Sequence, residues 1–143
     1  MRMKAAVLFE QGKEHPFTET RPLAVEELDL EPPGDDEVLI KTGAAGLCHS
    51  DLSMIRGVME RKTPLVPGHE AAGVVLEVGK DVSQCKPGDH VVMSFVPICG
   101  ECEFCTTGRP NLCGTAFDAR TTGALINGNR RLSLNGDPVH HTN

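Results

Sequence analysis

Four closely spaced cysteines are the first residues in this sequence that could do chemistry. Cys99, Cys102, Cys105 and Cys113 follow the spacing Cys-x2-Cys-x2-Cys-x7-Cys. Zinc prefers four soft ligands in a tetrahedron, and thiolates at about 2.3 Å supply them. Ligands three residues apart on a tight turn can converge on one ion, and the longer segment lets the fourth return from the far side. Because protein then fills all four positions, the spacing predicts a structural zinc site in a lobe spanning residues 97–114.

Three other interpretations of these cysteines carry less weight. A disulfide framework requires a secreted chain, and the apolar stretch near the N-terminus is too short for a secretory signal. An iron–sulfur cluster also uses closely spaced cysteines, but ferredoxin-like sets are embedded differently and usually come in duplicate. Four unmetallated surface thiols would be a chemical liability. Zinc is therefore the favoured metal for the four cysteines.

A second group of chemically capable residues lies earlier in the chain. Cys48 is followed by Ser50 and Asp51, and His69-Glu70 follows 21 positions later within a frame of glycines. A thiolate and an imidazole are two of the three protein ligands that an open catalytic zinc uses. Taken alone, such a pair is more often two ordinary buried residues.

Short strands and frequent turns must position both groups. Alternating or continuous apolar runs predict strands at 4–9, 23–30, 37–41, 71–78 and 90–96. Ser50 or Asp51 could cap a short helix ending near Gly57, and hairpins are predicted at Asn127-Gly128 and Asn135-Gly136. With 15 Gly and 10 Pro, the chain is predicted to be mainly β, a closed or nearly closed barrel or sandwich with few helices.

The composition of the chain argues against two classes of binding partner. A formal net charge of −6 argues against nucleic acid, whose phosphates require a basic surface. No apolar run approaches the roughly 20 residues that cross a bilayer. We therefore expect no nucleic-acid or membrane partner and a cytoplasmic location.

Four motifs, taken together, indicate one protein family more specifically than any of them does alone. They are Gly46-Leu47-Cys48-His49-Ser50-Asp51, Pro67-Gly68-His69-Glu70-x2-Gly73, Lys86-Pro87-Gly88-Asp89-His90-Val91 and the cysteine lobe. With them the chain resembles the zinc-dependent medium-chain alcohol dehydrogenases over nearly its whole length. The resemblance implies that residues 1–143 form the N-terminal catalytic domain, a GroES-like, partly open β-barrel with few short helices and a zinc lobe.

The resemblance also implies roles at a catalytic zinc. Cys48 and His69 would be its ligands, and Ser50 would pass the alcohol proton toward solvent. Asp51 would orient the His69 ring, as acidic groups often do for metal-bound imidazoles. Glu70 would lie just behind the zinc and could exchange with it transiently.

Further positions follow from the same resemblance. His49 would contact the cofactor pyrophosphate, and Phe95 and Met59 would line the substrate pocket. Ser53 stands where many animal-type members carry a histidine that completes a proton relay. Cys85 corresponds to no ligand position and is interpreted as an incidental thiol.

The implied activity is oxidation of a small alcohol to an aldehyde or ketone, with NAD or NADP as hydride acceptor and zinc as Lewis acid. No Gly-x-Gly-x-x-Gly follows a strand. The resemblance also implies a third catalytic ligand, a thiolate that the family supplies from well beyond this length. We therefore expect the domain to be incomplete at its C-terminal end, with the nucleotide-binding Rossmann domain outside the chain. The chain alone is expected to be inactive, with zinc tight only in the lobe, and the full-length enzyme to be a homodimer or homotetramer.

Two non-enzymatic functions are alternatives to the dehydrogenase. One is a stand-alone, zinc-stabilised β-domain serving as a binding or structural module, and the other is a chaperonin subunit. Cys48, Asp51, His69 and Glu70 discriminate against the first, because a pure binding module has no need of an open metal site. The second rests on fold analogy alone, and chaperonin subunits need no cysteine lobe.

Overall fold

A computed structural model describes residues 1–142 of the chain. The strands in it are β1 (Arg2–Leu8), β2 (Leu23–Leu30), β3 (Val38–Ala45), β4 (Leu65–Val66), β5 (Ala71–Val78), β6 (His90–Val92), β7 (Leu132–Leu134), β8 (Asp137–Pro138) and β9 (His140–His141). The helices are α1 (Phe17–Thr20), α2 (His49–Ile55), α3 (Glu103–Thr106) and α4 (Gly114–Thr122), with one 3-10 turn at Pro110–Leu112. No helix within residues 1–142 is long and apolar enough to cross a membrane.

The strands form two sheets. The larger has the order β8-β7-β2-β1-β4-β9, and the smaller has the order β3-β5-β6. Neighbouring strands are antiparallel except β4 and β9, which run parallel. The expectation of a mainly β, GroES-like, partly open barrel with few short helices is confirmed.

Two small apolar clusters hold the larger sheet together. One contains Val7, Leu28 and Val139, all fully buried. The other joins Leu8 of β1 and Leu65 of β4 to Met54 of α2. Burying a side chain of this size contributes about 1.5–3 kcal/mol. The second cluster therefore anchors α2, which carries His49, Ser50 and Asp51, to the sheet.

Several predicted elements are confirmed. β2 and β5 have the predicted bounds, and β1 and β3 lie where strands were expected, although β3 extends further, to Ala45. Asn135-Gly136 joins β7 to β8, with φ of 53° and 91° at its two residues. Positive φ at both central positions is the signature of the tight hairpin turn that Asn-Gly favours.

Other predictions are wrong. The strand expected at 90–96 ends at Val92, so Phe95 lies beyond it. The hairpin predicted at Asn127-Gly128 is a turn without flanking strands. The side-chain amide of Asn127 donates to the carboxylates of Asp36 and Glu37, and these contacts take the place of hydrogen bonds between paired strands. The N-cap of α2 is Cys48, with Asp51 in the third helical position. The unpredicted α4 buries only two alanines and so shows no apolar stripe.

Candidate metal centres

The four cysteines of the lobe converge on one point. Their sulfur atoms all lie within 4.8 Å of one another. Sγ of Cys105 lies 3.6 Å from Sγ of Cys102 and 3.9 Å from Sγ of Cys99, and Sγ of Cys102 lies 4.0 Å from Sγ of Cys113. A tetrahedron with Zn–S bonds of about 2.3 Å has edges of about 3.8 Å, whereas a disulfide needs about 2.05 Å. The spacing fits a single zinc ion and excludes disulfides among the four.

Local backbone structure supplies donors to these sulfurs. The amide of Cys99 donates to Sγ of Cys113 and that of Cys102 donates to Sγ of Cys99, both at 3.4 Å. Hydrogen bonds from the Glu101 amide and then from the Thr115 side chain lower the pKa of Cys99 to about 6. Burial, followed by the neighbouring sulfurs, raises the pKa of Cys105 to about 12. The thiolate form of Cys99 is thus favoured by its donors, whereas Cys105 needs the charge of a bound cation to ionise near neutral pH.

The second cluster draws on two separate segments. Cys48 caps α2, whereas His69 and Glu70 immediately precede β5. One ligand atom from each of the three lies within 4.8 Å of the other two. Sulfur, imidazole and carboxylate are all accepted zinc ligands, and three protein ligands leave a position open for another molecule. The donor set therefore fits an open zinc site.

Asp51 joins the two segments. The residue is 3% exposed, and its carboxylate accepts hydrogen bonds from the amide of Cys48 at 2.9 Å and that of Gly68 at 3.0 Å. The same Oδ1 that binds Gly68 lies 3.5 Å from Nδ1 of His69. This contact turns Nε2 of His69 toward the cluster, so Asp51 is placed to orient the ring while holding the two loops together.

The remaining polar residues of α2 lie on either side of this centre. Ser50 Oγ is 3.2 Å from Nε2 of His69. Ser53 Oγ donates to the carbonyl of His49 at 3.1 Å and lies 3.5 Å from its Nδ1. Ser50 is therefore beside the open cluster, and His49 and Ser53 form a separate exposed pair.

A cavity of about 280 Å³ opens onto the second cluster. Met54, Met59 and Phe95 give it an apolar wall, and the Phe95 ring meets that of His69 edge-on at 6.3 Å between centroids. Both residues expected in the substrate pocket thus lie on this cavity. Sequence reasoning missed Arg61, Arg120 and Thr142, which also line it.

The lack of a side chain at Gly46 leaves room for the carboxylate of Glu70. A Cβ at Gly46 would lie 2.7 Å from Oε2 of Glu70, and the Gly46 amide donates to the Glu70 carbonyl at 2.8 Å. The close approach explains a glycine in this place. Cys85 contributes to neither cluster in the part of the chain that the structure describes.

Comparisons of sequence and structure relate this chain to known proteins. The family described as "Alcohol dehydrogenase GroES-like domain" matches residues 34–131. S-(hydroxymethyl)glutathione dehydrogenase of Escherichia coli is 44% identical over 142 residues, covering 99% of this chain and 36% of that protein.

Solved structures agree with the sequence match. An alcohol dehydrogenase zinc-binding domain protein from Burkholderia ambifaria superimposes with a TM-score of 0.86 at 34% identity, over 99% of this chain and 36% of its own. Benzyl alcohol dehydrogenase from Acinetobacter calcoaceticus gives 0.83 at 32% identity, over 99% and 35%. The chain thus spans about a third of the length of these relatives. It belongs to the zinc-dependent medium-chain alcohol dehydrogenase family and matches the GroES-like domain of that family.

Proposed function

We propose that residues 1–143 are the N-terminal catalytic domain of a zinc-dependent alcohol dehydrogenase, with a structural zinc lobe at 97–114. One observation carries the proposal: Cys48, His69 and Glu70 converge beside a cavity with an apolar wall. A stand-alone binding module would need only the closed lobe. The binding-module interpretation does not explain why three metal-ligand candidates form an open cluster that faces a cavity.

Cys48 and His69 would hold the catalytic metal, with Glu70 as the third donor that this chain supplies. Zinc bound there supplies Lewis-acid polarisation of an alcohol oxygen, and NAD or NADP held by a domain outside this chain accepts the hydride.

The residues of the chain have separable tasks. Asp51 fixes the ring of His69, because its oxygens are already held by the amides of Cys48 and Gly68. Ser50 Oγ receives the substrate hydroxyl proton, since it is the hydroxyl next to the cluster. Met59 and Phe95 cover the substrate and exclude water from the reacting atoms.

The cofactor and the assembly lie largely outside the chain. His49, at the first position of α2, is proposed to contact the cofactor pyrophosphate. The substrate is proposed to be a small alcohol or aldehyde, with neither nucleic acid nor membrane as a partner. A cytoplasmic homodimer or homotetramer is the proposed form of the complete enzyme.

The test uses the protein encoded by the complete reading frame. We expect it to reduce NAD or NADP with primary alcohols such as benzyl alcohol, and expect no turnover from the 143-residue chain alone. Ser50→Ala should lower kcat by about 100-fold. Ser83→Ala is the matched control, because Ser83 is exposed, belongs to neither cluster and does not line the cavity, and it should leave kcat unchanged. Failure to oxidise any alcohol with either cofactor, or wild-type kcat in Ser50→Ala, would contradict the proposal.

A further inference from the structure

Two arginines share the cavity with the open cluster. Arg61 comes from the loop between α2 and β4, and Arg120 comes from α4, so they reach the cavity from separate parts of the chain. Both are half-buried. The cavity therefore combines three metal-ligand candidates, an apolar wall and two guanidinium groups.

Neither guanidinium has an acidic partner within residues 1–142. Within residues 1–142 the Arg61 guanidinium donates only to the carbonyl of its neighbour Glu60, at 2.8 Å, and no ion pair involves Arg120. Arg131 shows the contrast, because two nitrogens of its guanidinium bind the two oxygens of Glu37 at 2.7 and 3.1 Å. The two guanidinium groups in the cavity have no such acidic partner in the part of the chain that the structure describes.

Partial burial without an anion is unfavourable for a charge that is never lost. The carboxylate that also lines the cavity is Glu70, and it belongs to the metal-ligand cluster. The chain as a whole carries a net charge of −6, which repels anions, so the attraction of an anion to this cavity must come from the two guanidinium groups themselves. A planar, forked donor such as arginine is best matched by a carboxylate, which can accept two hydrogen bonds at once.

We propose that the substrate of this site is an alcohol bearing a carboxylate group, which Arg61 and Arg120 bind while the hydroxyl lies at the open cluster. The inference rests on the proposed dehydrogenase function and narrows its substrate class. Met54, Met59 and Phe95 contact the apolar carbon skeleton between the two polar ends. Ionic strength should weaken this recognition, because the arginines are only half-buried.

The test compares matched substrates with the protein from the complete reading frame. The pairs are 4-(hydroxymethyl)benzoate with benzyl alcohol, and 6-hydroxyhexanoate with 1-hexanol, so two spacings between hydroxyl and carboxylate are sampled. 4-(Aminomethyl)benzyl alcohol supplies the opposite charge. For at least one pair, kcat/KM should be about 10- to 100-fold higher for the carboxylate, with the ammonium compound the poorest. Added salt should narrow the difference.

Variants assign the effect to the arginines. Arg120→Gln and Arg61→Gln should each lower the ratio of kcat/KM for 4-(hydroxymethyl)benzoate to kcat/KM for benzyl alcohol by about 10-fold or more. Arg56→Gln, an exposed arginine outside the cavity, is the control. Calorimetric binding of 4-(hydroxymethyl)benzoate without cofactor gives a readout independent of turnover, and should weaken in parallel.

The outcomes separate this inference from the proposed function. If benzyl alcohol and 1-hexanol are oxidised but neither carboxylate is preferred, the anion site is wrong and the dehydrogenase stands. Equal losses for charged and neutral substrates in the arginine variants would also overturn it. If no alcohol of any charge is oxidised, the proposed function itself fails. The wild-type charge series and its salt dependence decide the question even if both variants fold poorly.

Discussion

The two candidate metal centres of this domain are built on opposite plans. The lobe takes its four sulfurs from one short stretch, 99–113, and their separations match the edges of a zinc–sulfur tetrahedron. The second centre takes three chemically different donors from two loops that Asp51 joins, and it faces a cavity. A closed set of like ligands is suited to holding a fold. An open set of mixed ligands leaves a coordination position for another molecule.

The contrast shows where each centre gets its geometry. The lobe is shaped by local turns and by amides that donate to its own sulfurs. The open centre is shaped by tertiary structure, because Met54 seats α2 on the larger sheet and Asp51 then reaches the His69 loop. Damage to the lobe should therefore be felt in stability, and damage around Asp51 should be felt first in metal affinity.

The largest expected effect comes from removing a lobe ligand. Cys105→Ser should lose the tight zinc and lower the free energy of unfolding by more than about 4 kcal/mol, since loss of a structural metal is among the most damaging changes. Cys85→Ser, a half-buried cysteine outside both clusters, is the control. Denaturant unfolding and zinc content measure both. A Cys105→Ser variant that keeps its zinc and its stability would break the distinction.

Asp51→Ala should come next. It removes a buried acceptor from the amides of Cys48 and Gly68 and the orienting contact to His69, which we expect to cost about 2–4 kcal/mol. Metal affinity at the open centre should fall about 10- to 100-fold. Asp51→Asn, which keeps the shape and one acceptor, should lose less of both. Zinc titration of the chain with its lobe already filled checks this, and unchanged affinity in Asp51→Ala would show that the two loops do not need the carboxylate.

A moderate effect is expected far from both centres. Burial alone would raise the pKa of Glu37, but hydrogen bonds from Arg131, Gly34, Asn127 and Asn129 lower it to about 2. The folded state therefore gains stability above the ordinary pKa of 4.5, and this gain is lost as the pH falls from about 4.5 to about 2. Glu37→Gln should cost about 2 kcal/mol at neutral pH and flatten that acid limb.

The control for Glu37 is a surface pair. Glu27 faces Arg2 with half of its side chain exposed, so Glu27→Gln should change stability by less than about 0.5 kcal/mol. Zinc content should be unaffected by either change. Loss of metal in Glu37→Gln would mean that this network supports a metal centre, which the comparison of the two centres does not allow.

The smallest expected effect tests a single close approach. Gly46→Ala places a Cβ against Oε2 of Glu70, and the flexible carboxylate can move away. We expect a stability change below about 1 kcal/mol and a several-fold loss of metal affinity at the open centre alone. Gly43→Ala is the control, since its Cβ would meet only a carbonyl at 3.7 Å. Equal metal affinity in both variants would remove Glu70 from the ligand set.

The sequence predicted most of what is local and little of what is distant. The lobe could be identified because its ligands are neighbours in the chain and their spacing reflects the metal. β2 and β5 were predicted to the residue because their apolar patterns are strong. Arg61 and Arg120 left no signal, since only the folded chain brings the α2–β4 loop and α4 to one cavity. The N-cap of α2 was predicted at Ser50 or Asp51, but it is Cys48. Asp51 lies instead at the third helical position, where its carboxylate accepts a hydrogen bond from the Cys48 amide.

One measurement tests the comparison most directly: zinc stoichiometry of the isolated 143-residue chain after dialysis against a chelator of intermediate strength. Native mass spectrometry reads the number of ions, and Cys105→Ser and Cys48→Ser assign them to a centre. We expect one retained zinc per chain, lost in Cys105→Ser and kept in Cys48→Ser, because four thiolates hold it in the lobe and the open centre binds more weakly. Two retained ions, or one that depends on Cys48 rather than Cys105, would contradict it.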